Sequence, residues 1–138
     1  MTAIRTKRWN DPAELEDGLR ILICRYRPRG VKKADETWQQ WLPDLGPSAE
    51  LHAAVYGKNR SSPLPWAAYR SAYLLEMRYQ RDVIAELAKT VVGGETITLL
   101  CSSACDREDR CHRSLLKMLI EKEIEKLPGQ NEQGPSLA

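Results

Sequence analysis

The fold of this protein is decided by residues 96–116, which read TITLLCSSACDREDRCHRSLL. The first six are mostly β-branched or aliphatic, which predicts a short buried strand ending at Cys101. A polar loop follows, in which Asp106 or Asp109 can cap a helix. Apolar residues then recur at helical spacing and predict a last helix with one packing face. That face consists of Leu115, Leu116, Leu119, Ile120, Ile124 and Leu127.

Two further strands are predicted nearer the start of the chain. Residues 4–9 form the first, which ends before Pro12 because proline has no amide proton to donate. Residues 19–24, which read LRILIC, form the second and follow a turn signal at Asp17-Gly18. The basic residues that come next should therefore lie at the carboxyl end of a buried strand.

Helical patterns occupy the middle of the chain. Residues 34–57 are periodic but interrupted by proline and glycine, which predicts two short helices, with Ser48 as the N-cap of the second. From Trp66 to Gly93 apolar side chains recur at helical spacing, a pattern far more typical of a core than of a ligand site. This stripe contains Tyr69, Tyr73, Met77, Ile84, Leu87 and Val91.

Strands that alternate with helices predict an α/β fold with a compact parallel or mixed sheet of few strands, covered by helices. We expect residues 1–127 to form a single domain and residues 128–138 to form a disordered tail, since the tail is polar and contains glycine and proline. In open α/β sheets ligands bind at the carboxyl ends of the strands. Residues 25–33 and 102–113 are the loops that meet this rule.

Composition and charge narrow the classes of function. Hydrophobic residues make up 42% and charged residues 29%, as in ordinary globular proteins. The opening residues contain no apolar segment, so we expect a cytoplasmic protein with reduced cysteines and no membrane partner. A net charge of +2 disfavours nucleic acid as a partner. Residues 18–34, however, contain six basic residues and no acidic one, which favours an anionic small molecule.

The polar loop and the helix after it allow three interpretations, of which the first is a cysteine phosphatase. Cys101 and Arg107 have the Cys-x5-Arg spacing of that loop, in which a thiolate attacks phosphorus and arginine holds the oxygens. The loop has no glycine and places acidic residues beside Arg107. These features weaken the phosphatase interpretation.

The second interpretation is a zinc site. Cys101, Cys105, Cys111 and His112 are all possible ligands. The spacing contains no Cys-x2-Cys pair, and adjacent Cys and His side chains diverge on a helix. We therefore predict no metal ligands here, and the sequence indicates no particular cofactor.

The third interpretation is a nucleophile or anion site at a helix N-terminus. Cys111, His112 and Arg113 lie at the predicted helix start, where free amides and the helix dipole stabilise an anion or a thiolate. The competing possibility is that the cysteines are small core residues, since free cysteine is among the most buried residue types.

Two segments resemble a known family. RILICRYRPRGVKK, residues 20–33, and CHRSLL, residues 111–116, are similar to the YeaO-like members of the family called domain of unknown function 488. The resemblance implies an α/β fold and no established activity. It covers roughly residues 5–126. The positions that it singles out are Arg25, Pro28, Arg29, Gly30, Cys101, Cys111, His112 and Arg113.

These observations predict an enzyme that acts on an anionic small molecule carrying a phosphate or carboxylate. Cys111 is the predicted nucleophile, His112 the proton shuttle, and Cys101 lines the site. The predicted anion-binding residues are Arg25, Arg29, Arg113 and Ser102. The alternative is a non-catalytic ligand-sensing or interaction module that uses the same basic pocket.

Overall fold

The computed structural model describes residues 3–58, 62–105 and 107–127, so the predicted tail and Asp106 lie outside the described residues. Within these ranges the strands are β1 (Ile4–Arg8), β2 (Leu19–Leu22), β3 (Gln40–Trp41) and β4 (Ile97–Cys101). The α-helices are α1 (Ala49–Val55), α2 (Trp66–Glu76), α3 (Arg81–Val92) and α4 (His112–Lys126). None of these helices is both long and apolar enough to cross a bilayer.

The strands form one parallel sheet in the order β1-β4-β2-β3. β4 lies inside the sheet, where Ile97 pairs with Ile4 on one side and with Leu19 on the other. All five residues of β4 are buried, which explains why the strand reads as an apolar run interrupted only by Thr98. The prediction of an α/β fold with a parallel sheet of few strands is confirmed.

The two faces of the sheet are covered differently. On one face Ile97 and Leu99 pack against apolar side chains of the helices, and α4 contacts β1 and β4 directly. On the other face Leu100 packs against Trp38. Trp9 meets the Trp38 ring edge-on, with 6.2 Å between ring centroids. Helices therefore shield one face, and tryptophans from loops shield the other.

A buried carboxylate anchors the amino ends of the strands. Asp17 is fully buried, and its Oδ1 lies 3.0 Å from Arg5 Nη1 and 2.9 Å from Lys7 Nζ. Arg20, which is also buried, pairs with Oδ2. Burial alone would raise the pKa of Asp17, but hydrogen bonds from Lys7, a backbone amide and Arg20 lower it below its ordinary value. The carboxylate is thus held ionised between β1 and β2.

The turn predicted at Asp17-Gly18 starts β2. The carbonyl of Asp17 accepts a hydrogen bond of 2.7 Å from Thr98 Oγ1. Gly18 has a φ of 61°, and a Cβ there would lie 2.2 Å from the carbonyl oxygen of Thr96. Only glycine fits this close approach of two backbones.

The prediction of two short helices in residues 34–57 is half right. Ser48 caps α1 as expected and accepts a 3.1 Å hydrogen bond from the amide of Leu51. The earlier helix is absent, and the short strand β3 takes its place. The amide of Leu42 donates to the carbonyl of Leu22 at 2.9 Å. Pairing with β2 therefore overrides the local helical preference.

The start of the last helix also differs from the prediction. Its N-cap is Cys111, in extended conformation with φ −138° and ψ 146°, whereas Asp109 lies in a 3-10 turn before it. The helical stripe that begins at Trp66 is divided by another 3-10 turn, Met77–Gln80, into α2 and α3. The predicted packing faces are otherwise retained, because Tyr73, Leu87 and Leu116 are buried.

Replacing Asp17 by asparagine should lower the free energy of unfolding by about 3–5 kcal/mol at pH 7, because it leaves the buried guanidinium of Arg20 without its carboxylate partner. The wild-type advantage should persist above the ordinary aspartate pKa, about 3.9, and disappear as the pH falls through the lower folded value. Denaturant unfolding at several pH values measures this. Asp35→Asn, at an exposed aspartate, is the matched control and should change stability by less than about 0.5 kcal/mol. Equal losses in the two variants would contradict the anchoring role of Asp17.

Candidate functional site

A cleft of about 1060 Å³ opens at the carboxyl edge of the sheet. One wall is the loop after β2, which includes Arg25 and Arg29, and another is the segment after β4, which includes Ser102 and Cys105. Helix α1 contributes a third wall. The two loops predicted separately as binding loops therefore meet at one cleft, because parallel strands end at the same edge.

Three cysteines converge in this cleft and form what we call the sulfur cluster: Cys101, Cys105 and Cys111. Their sulfur atoms all lie within 4.8 Å of one another. Cys111 Sγ and Cys101 Sγ lie 3.1 Å apart, within hydrogen-bond distance. Cys101 and Cys111 are 3% and 2% exposed, whereas Cys105 is only partly buried. Cys105 is thus the member most accessible from the cleft.

His112 completes the floor of the cleft. Its Nε2 lies 2.8 Å from the carbonyl oxygen of Ile23, so Nε2 carries the proton and donates it. Its Nδ1 is then a free acceptor that faces the sulfurs, 3.8 Å from Cys101 Sγ and 4.0 Å from Cys111 Sγ. Burial lowers the pKa of His112, so the imidazole is neutral at pH 7.

The sequence predicted that the side chains of Cys111 and His112 diverge, and the backbone conformation of Cys111 shows that they do not. Adjacent Cys and His side chains diverge only if both residues are helical. Cys111 is the extended N-cap residue, and His112 is the first residue of α4. The change of backbone conformation between them brings both side chains to the same sulfur cluster.

The cluster holds its negative charge on one sulfur. Hydrogen bonds from Cys101 and Cys111 lower the pKa of Cys105 to about 3, and the positive charge of Arg113 acts in the same direction. Hydrogen bonding to Cys105, Cys111 and Cys24, together with burial, raises the pKa of Cys101. For Cys111, a hydrogen bond with Cys101 favours ionisation, but hydrogen bonding to Cys105 and burial outweigh it and raise the pKa to about 12. Cys105 is therefore the thiolate.

Three of the four predicted anion-binding residues line the cleft: Arg25, Arg29 and Ser102. Arg113 is only 6% exposed and lies in the interior, outside the cleft lining. Its Nε is buried and has no hydrogen-bond partner among the described residues. Arg113 therefore acts on the cleft through its charge, as the lowered pKa of Cys105 indicates.

The basic side chains that line the cleft differ in their partners. Arg25 pairs with Asp44 at 3.2 Å, and Arg27 pairs with Glu36 at 2.8 Å. Three other lining cations form no ion pair with any described residue: Arg29, Lys58 and Arg110. The described lining contains no acidic side chain. The cleft thus carries three cations that have no ion-pair partner in the part of the chain that the structure describes.

Tyr26, His52 and Tyr56 form an aromatic wall of the cleft. The rings of Tyr26 and His52 are 5.1 Å apart, and those of His52 and Tyr56 are 4.9 Å apart. Burial and the charge of Lys58 lower the pKa of His52, to which the sequence assigned no role. The cleft therefore offers apolar surface beside its cations, as small-molecule sites usually do.

The predicted site did not include Cys105, Cys24, Lys58 or Arg110, and Cys105 was named only as a possible zinc ligand. Cys24 lines the cleft and contributes to the raised pKa of Cys101. The sequence did contain one indication that Cys105 belongs to the site. It lies between Cys101, at the end of a predicted strand, and Cys111, at the predicted start of a helix. Lys58 and Arg110 carried no local signal, because only the folded chain brings α1 and the turn before α4 to one cleft.

Comparison with known proteins identifies one matching family model and several uncharacterised relatives. A family model described as "Active DUF488-N3 subclade" matches residues 4–124. The uncharacterised protein YeaO of Escherichia coli K12 is 37% identical over 100 residues, which cover 72% of this chain and 83% of that protein. The uncharacterised proteins Mb3100c of Mycobacterium bovis and Rv3073c of Mycobacterium tuberculosis are each 28% identical over 119 residues, which cover 86% of this chain and 94% of theirs. No solved structure matches the chain significantly.

In chelator-treated protein, Cys105 should be alkylated first, at a rate that changes little between about pH 5 and pH 8, because it is already a thiolate. An ordinary thiol, with a pKa of about 8.5, reacts about tenfold faster with each pH unit in that range. Peptide mass spectrometry after timed exposure to iodoacetamide measures each site. In denaturant all four cysteines should react alike, which provides the control. Faster labelling of Cys111 than of Cys105 in the folded protein would contradict this assignment.

Proposed function

This chain belongs to the DUF488 family, in the subclade described as active DUF488-N3, and we propose that it is an enzyme that acts on an anionic small molecule bound in the cleft. One observation carries the proposal. The cleft combines cations that form no ion pair with any described residue with a sulfur cluster on its floor. The first feature binds an anion, and the second supplies a nucleophile.

The charge of the cleft supports an anionic ligand with a phosphate or carboxylate group. Arg29, Lys58 and Arg110 gain more from an anion than Arg25 and Arg27 do, because the latter already have carboxylate partners. A cleft lined by one sign of charge concentrates ligands of the opposite sign. The aromatic wall of Tyr26, His52 and Tyr56 would then contact the apolar part of the same ligand.

The sulfur cluster supports nucleophilic chemistry. Cys105 is the cleft-facing sulfur and is the better placed nucleophile, whereas the sequence favoured Cys111 for this role. Cys101 and Cys111, deeper in the floor, would orient Cys105 through hydrogen bonds. His112 Nδ1, an acceptor 4.0 Å from Cys111 Sγ, would orient the Cys111 thiol without taking its proton, because the pKa of the thiol is raised and that of the imidazole is lowered.

A non-catalytic ligand-sensing module is the second candidate. It is favoured by the near-complete burial of Cys101 and Cys111, which is typical of structural rather than reactive cysteines. The description of the family model as active favours the enzyme. Turnover of a ligand separates the two functions, because a sensing module binds without converting its ligand.

Arg29→Ala should weaken the binding of inorganic phosphate about tenfold or more, since a hydrogen bond to a charged group contributes about 1.5–3 kcal/mol. Isothermal calorimetry on chelator-treated protein at low salt measures the affinity. Lys33→Ala is the matched control, because Lys33 is exposed, carries the same charge and lies outside the cleft lining. Equal phosphate affinity in the two variants would count against the anion site.

Cys105→Ser should remove turnover while it preserves phosphate affinity within about threefold, because the substitution removes the nucleophile and leaves the unpartnered cations. The measurement incubates each protein with a mixture of phosphorylated and carboxylated metabolites and follows their loss by mass spectrometry. Cys24→Ser serves as the control, since it removes a cleft cysteine outside the sulfur cluster. If the wild-type protein binds phosphate but consumes no metabolite, the sensing module replaces the enzyme.

A further inference from the structure

We propose that Cys101, Cys105, Cys111 and His112 together bind one zinc ion. This inference goes beyond the proposed function, because it concerns the affinity of the sulfur cluster for a cation whatever anion the cleft accepts. Thiolate sulfur and imidazole nitrogen are the ligands that zinc prefers in proteins.

The distances match a tetrahedral zinc site. With zinc–sulfur bonds of about 2.3 Å and a zinc–nitrogen bond of about 2.0 Å, tetrahedral geometry separates two sulfurs by about 3.8 Å and a sulfur from the nitrogen by about 3.5 Å. The three sulfurs lie within 4.8 Å of one another, and Cys101 Sγ and Cys111 Sγ are 3.1 Å apart. His112 Nδ1 lies 3.8 Å from Cys101 Sγ and 4.0 Å from Cys111 Sγ, but it is not one of the atoms that lie within 4.8 Å of all three sulfurs. Shifts of less than about 1 Å would bring the sulfurs to tetrahedral separations, and His112 Nδ1 and Cys105 Sγ would also approach each other when they share the ion.

His112 is already oriented as a zinc ligand. In metal sites a ligating histidine almost always donates its other ring N–H to a carboxylate, a carbonyl or water, which fixes the tautomer. His112 makes this contact through Nε2 to the carbonyl of Ile23, at 2.8 Å. Nδ1 is left with its lone pair toward the sulfurs. This contact is independent of the convergence of the cysteines and points to the same ion.

Arg113 provides the compensating charge. Three thiolates and one divalent ion leave a net charge of −1, which is costly to bury without a counterion. The guanidinium of Arg113 is buried, and its Nε lacks a hydrogen-bond partner among the described residues. Zinc binding would displace the thiol protons of Cys101 and Cys111 to solvent and would leave Arg113 to balance the remaining charge.

Cys24 lies beside the site but outside its ligand set. It contributes to the raised pKa of Cys101 yet is not one of the three sulfurs that lie within 4.8 Å of one another. It therefore provides a matched control, a cysteine of the same cleft whose loss should leave the zinc site intact.

Zinc and the proposed thiol chemistry compete for Cys105. When Cys105 is a zinc ligand, the ion withdraws electron density from its sulfur, which is then a weaker nucleophile than the free thiolate. Filling the site should therefore protect Cys105 from alkylation. A zinc-filled protein and a free-thiol protein are two states of the same chain.

The test is a zinc titration of the reduced full chain against a chromophoric chelator, with cobalt as a spectroscopic substitute. We expect one zinc per chain, a thiolate-to-cobalt charge-transfer band and the ligand-field bands of tetrahedral cobalt. Cys105→Ser should weaken zinc binding by more than about 100-fold, since loss of an outer-shell partner alone costs about 10–100-fold. Because Cys105 is only partly buried in a loop, this variant should keep the fold. Cys24→Ser should bind zinc like the wild type.

The ligand set is overturned if the wild-type chain binds no zinc, if Cys105→Ser binds zinc as tightly as the wild type, or if Cys24→Ser loses the site. The failure of this inference is distinguishable from the failure of the proposed function. Arg29→Ala removes a cation of the cleft and no zinc ligand, so it should bind zinc with unchanged affinity even when phosphate binding is lost.

Discussion

Parallel pairing on both sides of β4 is the constraint on which the rest of the structure depends. Parallel strands all end at one edge of the sheet, so the chain segments that leave β1, β2 and β4 emerge together. This is why Cys24 and Arg25 come to lie beside Cys101, although more than seventy residues separate them in the chain. The buried carboxylate of Asp17 secures the opposite edge, where it pairs with cations from β1 and β2. One edge of the sheet is thus fastened by ion pairs, and the other is left open for a ligand.

The sulfur cluster at the open edge is an electrostatic unit rather than a set of separate thiols. Three sulfurs in contact cannot all ionise in a largely buried site, so one thiolate forms and the other two thiols donate hydrogen bonds to it. The charge resides on Cys105, which has the most access to solvent, while Arg113 offsets it from the interior. The same arrangement suits either a nucleophile or a metal ligand, since both roles require a thiolate. Cys105 would be a nucleophile when no cation is bound and a ligand when the cation is present.

Partners, more than position in the chain, decide which cations are available to a ligand. The six basic residues in residues 18–34 predicted an anion site, yet they have different roles in the fold. Arg20 forms an ion pair with Asp17 in the interior, and Arg25 and Arg27 pair with carboxylates at the rim of the cleft. Of that run, Arg29 is the cleft cation without an ion pair among the described residues, and it is joined there by Lys58 and Arg110 from elsewhere in the chain.

The sequence by itself determined the family, the α/β class, the strands with strong apolar runs, the long helical stripe and the two loops at which a ligand would bind. These features follow from local periodicity, from turn residues such as Gly18 and from motifs that are contiguous in the chain. Only the tertiary structure decided that residues 40–41 form a strand, because their pairing with β2 outweighs local preference. It also decided that Cys105 and His112 join Cys101 and Cys111, since this depends on the extended backbone of Cys111 and on contacts between distant segments. Such contacts are set by packing, which local spacing does not encode.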